Sequence, residues 1–163
     1  MLQLDRLLPA RLHRLGMPFA HAVRIRWWRL RRPLVVSCLV LAVNPAGEVL
    51  LVRHSYGARR WMLPSGGMAR GETPIAAAKR ELSEETACTL TAAIEIAVTH
   101  KIVHGATNIV HVIAGRASGV PRPDRREIVD ACYFAPGALP HDISGSLARN
   151  LPGWLGQIPR AEA

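Results

Sequence analysis

The sequence predicts one α/β (α+β) domain, with a set of strands sharing its core with helices. Three observations point there. The 163 residues are 49% hydrophobic and 20% charged, enough apolar material for one sizeable core and unlike a disordered chain. Val- and Leu-rich segments recur, separated by Gly- and Pro-bearing turns. Between them lies a clearly signalled helix start, with Thr73 as N-cap and Pro74 at the first helical position.

Taken in order, Leu34–Val43 reads as a buried strand and Glu48–Arg53 as its hairpin partner across Asn44-Pro45-Ala46-Gly47. Arg60–Gly67 is a short extended piece entering a glycine loop. Ile75, Ala78 and Leu82 form the apolar side of the helix that follows. Ala92–Val103, Thr107–Ala117 and Ile128–Phe134 read as further strands, and Ala117–Arg126 as a loop insertion. Asp142 or Ser144 caps a last helix running through Leu151 and stopped by Pro152.

Charge divides the chain in two. Residues 1–33 hold eight arginines and one acid, a net +7 of the total +9, so the body from residue 34 is nearly balanced. This divides the chain into a basic amphipathic arm, 1–33, and a domain, 34–163. Leu2, Leu4, Leu7, Leu8, Leu12 and Leu15, then Trp27 and Trp28, give the arm an apolar side. Three readings stay open for it: packing on the domain, a subunit contact in a homodimer, or attraction to nucleic acid or an anionic membrane surface. Cys38, Cys88 and Cys132 form no CxxC pair, which argues against a disulfide scaffold and a zinc knuckle and for a reducing, cytoplasmic setting. The longest apolar run, Leu34–Val43, is about half a bilayer span, so no integral membrane segment is expected.

The stretch Gly66–Cys88 carries the chemistry. Glu81 and Glu85 stand at i and i+4 on the helix, with Glu84 at i+3 from Glu81. On a solvated helix each like-charged pair costs a few tenths of a kcal/mol, and E-x-x-E-E alone is an ordinary acidic face. A cation would turn that cost into a gain, and hard oxygen donors suit Mg²⁺ or Mn²⁺. Arg80, four residues before Glu84, is placed to hold a carboxylate, and Glu72 precedes the helix N-terminus, where negative charge is favourable.

The wider spacing decides between these readings. Gly66, five residues, Glu72, seven residues, Arg80-Glu81-Leu82, one residue, Glu84-Glu85 resembles the Nudix box, G-x5-E-x7-R-E-U-x-E-E-x-G-U, with U a bulky aliphatic residue. Trp61-Met62-Leu63-Pro64 resembles the entry to that box. Ala87 and Cys88 depart from it, standing where the family has Gly and an aliphatic residue. If Ala87 closes the helix in a left-handed conformation, it bears about 1 kcal/mol of strain. Cys88 reads as a small buried hydrophobe.

The resemblance implies a Nudix-type α/β/α sandwich with a mixed β-sheet. It also implies metal-dependent hydrolysis of a nucleoside diphosphate linked to another moiety. Carried over by position, Glu81 and Glu85 are the principal metal ligands and Glu84 an additional one. The Ser65 carbonyl adds an oxygen, and Glu72 and Arg80 orient the cluster. The box does not place the general base; Glu127 is the candidate, against a plain strand-start carboxylate. Arg53 and His54 could reach substrate, and Trp61 could stack on a base or simply anchor the loop. Subgroup markers beyond the box are missing: Val103-His104-Gly105-Ala106 stand where a Pro or Tyr is often found. ADP-ribose or a nucleotide-sugar therefore stands first, a nucleoside triphosphate close behind. The alternative is a non-catalytic nucleotide- or RNA-binding module on the same fold.

Overall fold

The strand over Leu34–Val43 (β1) belongs to two cores at once, because successive side chains leave a strand on opposite faces. Cys38, Val40 and Ala42 enter one apolar cluster, and Leu41 and Val43 enter the other. That two-sided burial explains why β1 reads as an unbroken hydrophobic run and not as an alternating one. The computed structural model describes Val23, Arg26, Trp27 and residues 33–57, 59–103 and 105–158.

The other elements are β2 (Val49–His54), β3 (Trp61–Met62), β4 (Ser65–Gly67), α1 (Pro74–Thr86), β5 (Thr89–Val103), β6 (Ala106–Ser118), β7 (Ile128–Phe134) and α2 (Gly145–Leu155). The sheet is mixed, with order β3-β2-β1-β6-β5; β4 pairs with β1, and β7 with β2. Strands β1 and β6 are parallel from Leu34↔Thr107 to Val43↔Arg116, while the remaining pairings are antiparallel. Ala77, Ala78 and Leu82 of α1 close one face over Val40, Leu50 and Ile113. Leu147, Leu151 and Trp154 of α2 close the other over Leu41, Leu51 and Val112. The layers are thus helix, mixed sheet, helix.

The hairpin forms where expected. Asn44 Oδ1 accepts from Glu48 N–H (2.9 Å), its amide donates to Glu48 Oε2 (2.8 Å), and Gly47 takes the positive φ of 81° that the turn needs. Two boundaries differ from the sequence reading by three residues or more. Strand β5 starts at Thr89, three residues early, and crosses an irregularity between Thr91 and Ile94 where Ala92 has φ 46°. Helix α2 takes Ser144, not Asp142, as its cap and continues through Pro152 to Leu155. An interior proline costs about 3 kcal/mol in an open helix. Burying Leu147, Leu151 and Trp154, at about 1.5–3 kcal/mol for each large side chain, outweighs it.

Of the arm, Val23 and Trp27 are each 52% exposed, one helical turn apart. Apart from these, Arg26 and Pro33, the arm residues, including its leucines and Trp28, lie outside the described residues, and with them the expectation that the arm docks. No helix among the described residues is long and apolar enough to cross a membrane.

Helix α1 ends at Ala87 in the left-handed conformation, φ 58° and ψ 15°, with its N–H bonded to Ser83 O. Cys88 behind it is buried and accepts from the Tyr133 hydroxyl at 3.8 Å. Ala87→Gly should therefore stabilise the fold by about 1 kcal/mol, read as a higher urea midpoint with an unchanged m-value.

Candidate active site

Helix α1 and strand β4 meet at the position where the sequence has Gly66. That residue pairs with Cys38 of β1, and a side chain there would overlap the Glu81 carboxylate. The absence of a Cβ is what lets Glu81 lie against the strand. Thr73 starts α1 by accepting from Ala76 N–H (3.3 Å), which sets the register that turns Arg80, Glu81, Glu84 and Glu85 toward the loop over residues 65–72.

Arg80 organises the group. Its Nε and Nη2 donate to Glu72 Oε1 and Oε2 at 2.8 and 2.9 Å, a two-pronged pair. Nη1 donates to Glu81 Oε1 at 2.7 Å and to Glu84 Oε2 at 3.4 Å, and Nη2 also reaches the Gly67 carbonyl at 3.0 Å. These bonds, helped by Ala69 N–H, hold the Glu72 carboxyl down from 4.5 to about 2. The Arg80 guanidinium is correspondingly held charged.

Glu81 and Glu85 are pushed the other way. Burial raises Glu81, against the pull of Arg80. Glu85, only 6% exposed, is raised well above the ordinary carboxylate range by burial first, then by the charges of Glu81, Glu127 and Asp124. Its hydrogen bond from Ser65 N–H is long, at 3.3 Å. A buried carboxylate with three acidic neighbours and a single weak donor suits a cation.

Seven of the sequence-derived residues thus come together: Ser65, Glu72, Arg80, Glu81, Glu84, Glu85 and Glu127. They do not converge on one point. Among the described residues no three His, Cys, Asp or Glu side chains stand in metal-ligating proximity. Glu81 and Glu84 are bonded to Arg80, and Glu85 to Ser65 N–H. The donor set, hard carboxylate oxygens with a Gly66 cradle, still fits Mg²⁺ or Mn²⁺.

Arg53 and Trp61 lie elsewhere. The Arg53 guanidinium sits 4.6 Å over the Trp61 ring and pairs with Asp142 (3.0 Å) and Asp130 (3.6 Å). Trp61 is buried in the α2-side core, edge-on to Phe134. His54 lies next to Ser55, whose N–H meets Glu127 O, and its buried Nδ1 has no hydrogen-bond partner. Burial lowers its pKa, opposed by Asp124. Asp124 itself went unrecognised in the sequence. Its signal, a Pro-Asp run three residues ahead of Glu127, is that of a side chain accepting from following amides. A cavity of about 160 Å³ opens on the α2 side of the sheet, lined by Ser65, Leu63, Lys101, Ser144 and Trp154 among others.

Comparison with known proteins places this geometry. The family model described as NUDIX domain matches residues 32–152. The RNA pyrophosphohydrolase of Roseobacter denitrificans is 46% identical over 48 residues, 29% of this chain and 30% of that protein. That of Yersinia enterocolitica is 48% identical over 46 residues, 28% of this chain and 26% of that protein. The chain therefore spans less than a third of the length of these curated relatives. Among solved structures, the MutT NUDIX hydrolase from Burkholderia pseudomallei aligns with TM-score 0.65 and 25% identity over 77% of this chain and 98% of that one. The MutT protein from Methanosarcina mazei Go1 shares the fold, with TM-score 0.62 and 21% identity over 77% and 95%.

Removing the Arg80 clamp gives a test with a definite sign. In Arg80→Met the Glu72 carboxyl should return from about 2 toward 4.5 in a carbon-detected NMR titration. A depressed folded value stabilises the fold fully above the unfolded value and is lost as pH falls through the folded one. The stability gap between wild type and Arg80→Met should therefore narrow as pH drops from about 4.5 to about 2.

Proposed function

This chain belongs to the Nudix family, and from that premise we propose that it is a metal-dependent pyrophosphohydrolase acting on a nucleoside diphosphate linked to a further group. The observation that carries the reading is Glu85: a carboxylate buried on α1 beside Glu81, faced by Glu127 and Asp124, whose charge needs a cation. Glu81 and Glu85 would hold the metal, Mg²⁺ or Mn²⁺, with Glu84 and the Ser65 carbonyl completing the oxygen set. A bound divalent ion would supply Lewis acidity and neutralise the diphosphate.

The remaining work belongs to the chain. Arg80 and Glu72 restrain Glu81, and Glu81 and Glu84 must turn from Arg80 toward Glu85 when the metal and substrate arrive. Glu127 is the general base, a carboxylate across from Glu81 and Glu85 that takes the proton of the water attacking phosphorus. The cavity beside Ser65, with Lys101 and Trp154 in its wall, takes part of the nucleotide, and His54 lies at the Glu127 edge as a further substrate contact. Arg53 acts indirectly, holding Trp61 and the entry to the loop.

ADP-ribose, a nucleotide-sugar and a nucleoside triphosphate are the first substrates to test. The named relatives, RNA pyrophosphohydrolases, add RNA to that panel. Each is incubated with Mg²⁺ or Mn²⁺, and phosphate is read after a coupled phosphatase. Tight binding without turnover across the panel would favour the binding module instead.

Glu85→Gln should lower kcat by at least about tenfold, or roughly 1.4 kcal/mol of barrier. Its Tm at neutral pH without metal should match or exceed that of wild type, because a folded pKa raised above the unfolded one makes the ionised carboxylate destabilising. Mg²⁺ should raise the wild-type Tm and leave that of the variant nearly unmoved. Full activity in Glu85→Gln would refute its role.

A further inference from the structure

Glu127 ends the loop over residues 119–127, outside the regular elements, yet a base must keep one place relative to the carboxylates of α1. Two backbone bonds tie this loop to the last turn of α1. Arg122 N–H donates to Thr86 O at 2.8 Å, and Asp124 N–H donates to Glu85 O at 3.3 Å. From that anchored backbone the Asp124 side chain reaches forward. Its Oδ1 accepts from the N–H groups of Arg126 (2.9 Å), Glu127 (3.1 Å) and Ile128 (2.8 Å), and Oδ2 accepts from Glu127 N–H (3.3 Å). The turn is tight enough to hold Arg125 at φ 59°. On the other side Ser55 N–H donates to Glu127 O at 2.7 Å, so the backbone of Glu127 is gripped at both its amide and its carbonyl.

One residue therefore spans the two halves of the site. Its backbone is bonded to Glu85, and its side chain holds the peptide of Glu127. We propose that Asp124 is a positioning residue for hydrolysis, fixing the Glu127 carboxylate at its distance from Glu81 and Glu85. This rests on the reading of Glu127 as the base. Misplacing a reacting group by about 1 Å costs as much as a hundredfold in rate, so a loosened turn should show in kcat.

The test uses the full chain with Mg²⁺ and the panel substrate of highest kcat/KM, comparing Asp124→Ala, Asp124→Asn, Glu127→Gln and the double variant Asp124→Ala/Glu127→Gln. Asp124→Ala should lower kcat by about tenfold with KM within about twofold, and Asp124→Asn, which keeps an acceptor oxygen, should recover most of it. In the Glu127→Gln background Asp124→Ala should remove less than about twofold more, because its effect passes through Glu127. Independently of turnover, the amides of Arg126, Glu127 and Ile128 should exchange faster in Asp124→Ala while those of α1 keep their protection. If that variant does not fold, Asp124→Ser, a shorter acceptor, takes its place with the same readouts. A Glu127→Gln protein with full kcat would overturn the base assignment. An impaired Glu127→Gln beside an unimpaired Asp124→Ala, additive losses in the double variant, or unchanged exchange at residues 126–128 would overturn the role of Asp124.

Discussion

Glu72, Glu81, Glu84 and Glu85 gather at one side of α1, and Arg80 is the cation that makes the gathering tolerable. It forms a two-pronged pair with Glu72, bonds Glu81 and reaches the Gly67 carbonyl, so one guanidinium ties the loop over residues 65–72 to the helix. A lysine could not do this, since a single ammonium lacks the planar fork that serves several acceptors in fixed directions. The electrostatics divide accordingly. Glu72 is stabilised as a carboxylate, while partial burial of Glu81 and burial of Glu85 work against their charged forms.

Packing around this centre follows from small residues at close approaches. Gly66 leaves room for Glu81, and Ala77 and Ala78 bring α1 onto the sheet over Val40 and Leu50. The C-terminal end of α1 then has two duties. Ala87 closes it in the left-handed region, and the carbonyls of Glu85 and Thr86 accept from the loop that leads to Glu127. Carbonyls at a helix end have no partner within the helix, so a loop that supplies N–H groups is welcome there. The same unsatisfied backbone that every helix leaves is what connects α1 to the loop that carries Glu127.

The opposite face of the sheet shows how strongly apolar burial sets element boundaries. Trp61, Leu147, Leu151 and Trp154 join β3 and α2 in one cluster, and Arg53 lies over the Trp61 ring with Asp130 and Asp142 about its guanidinium. Local propensity alone ends the helix at Pro152; the buried stripe carries it on to Leu155.

Much was legible in the chain itself, because it depends on spacing along one element. The i, i+3, i+4 carboxylates, the Thr73–Pro74 helix start and the turn over Asn44-Pro45-Ala46-Gly47, with its four-residue reach from Asn44 to Glu48, are local, and local geometry follows from φ, ψ and side-chain length. The resemblance to a known box added the helix–sheet–helix layering, which no periodicity reveals. What the tertiary structure alone decided involves residues far apart in sequence. The fold had to bring Asp124 and Glu127 against a helix some forty residues earlier before either could bear on Glu85. It had to set Arg53 over the Trp61 ring, between Asp130 and Asp142, contacts that no local pattern foretells. It also gave the carboxylates different partners, Arg80 for Glu81 and Ser65 N–H for Glu85. Sequence spacing says which side chains share a face; only the packed neighbours say where their charges point.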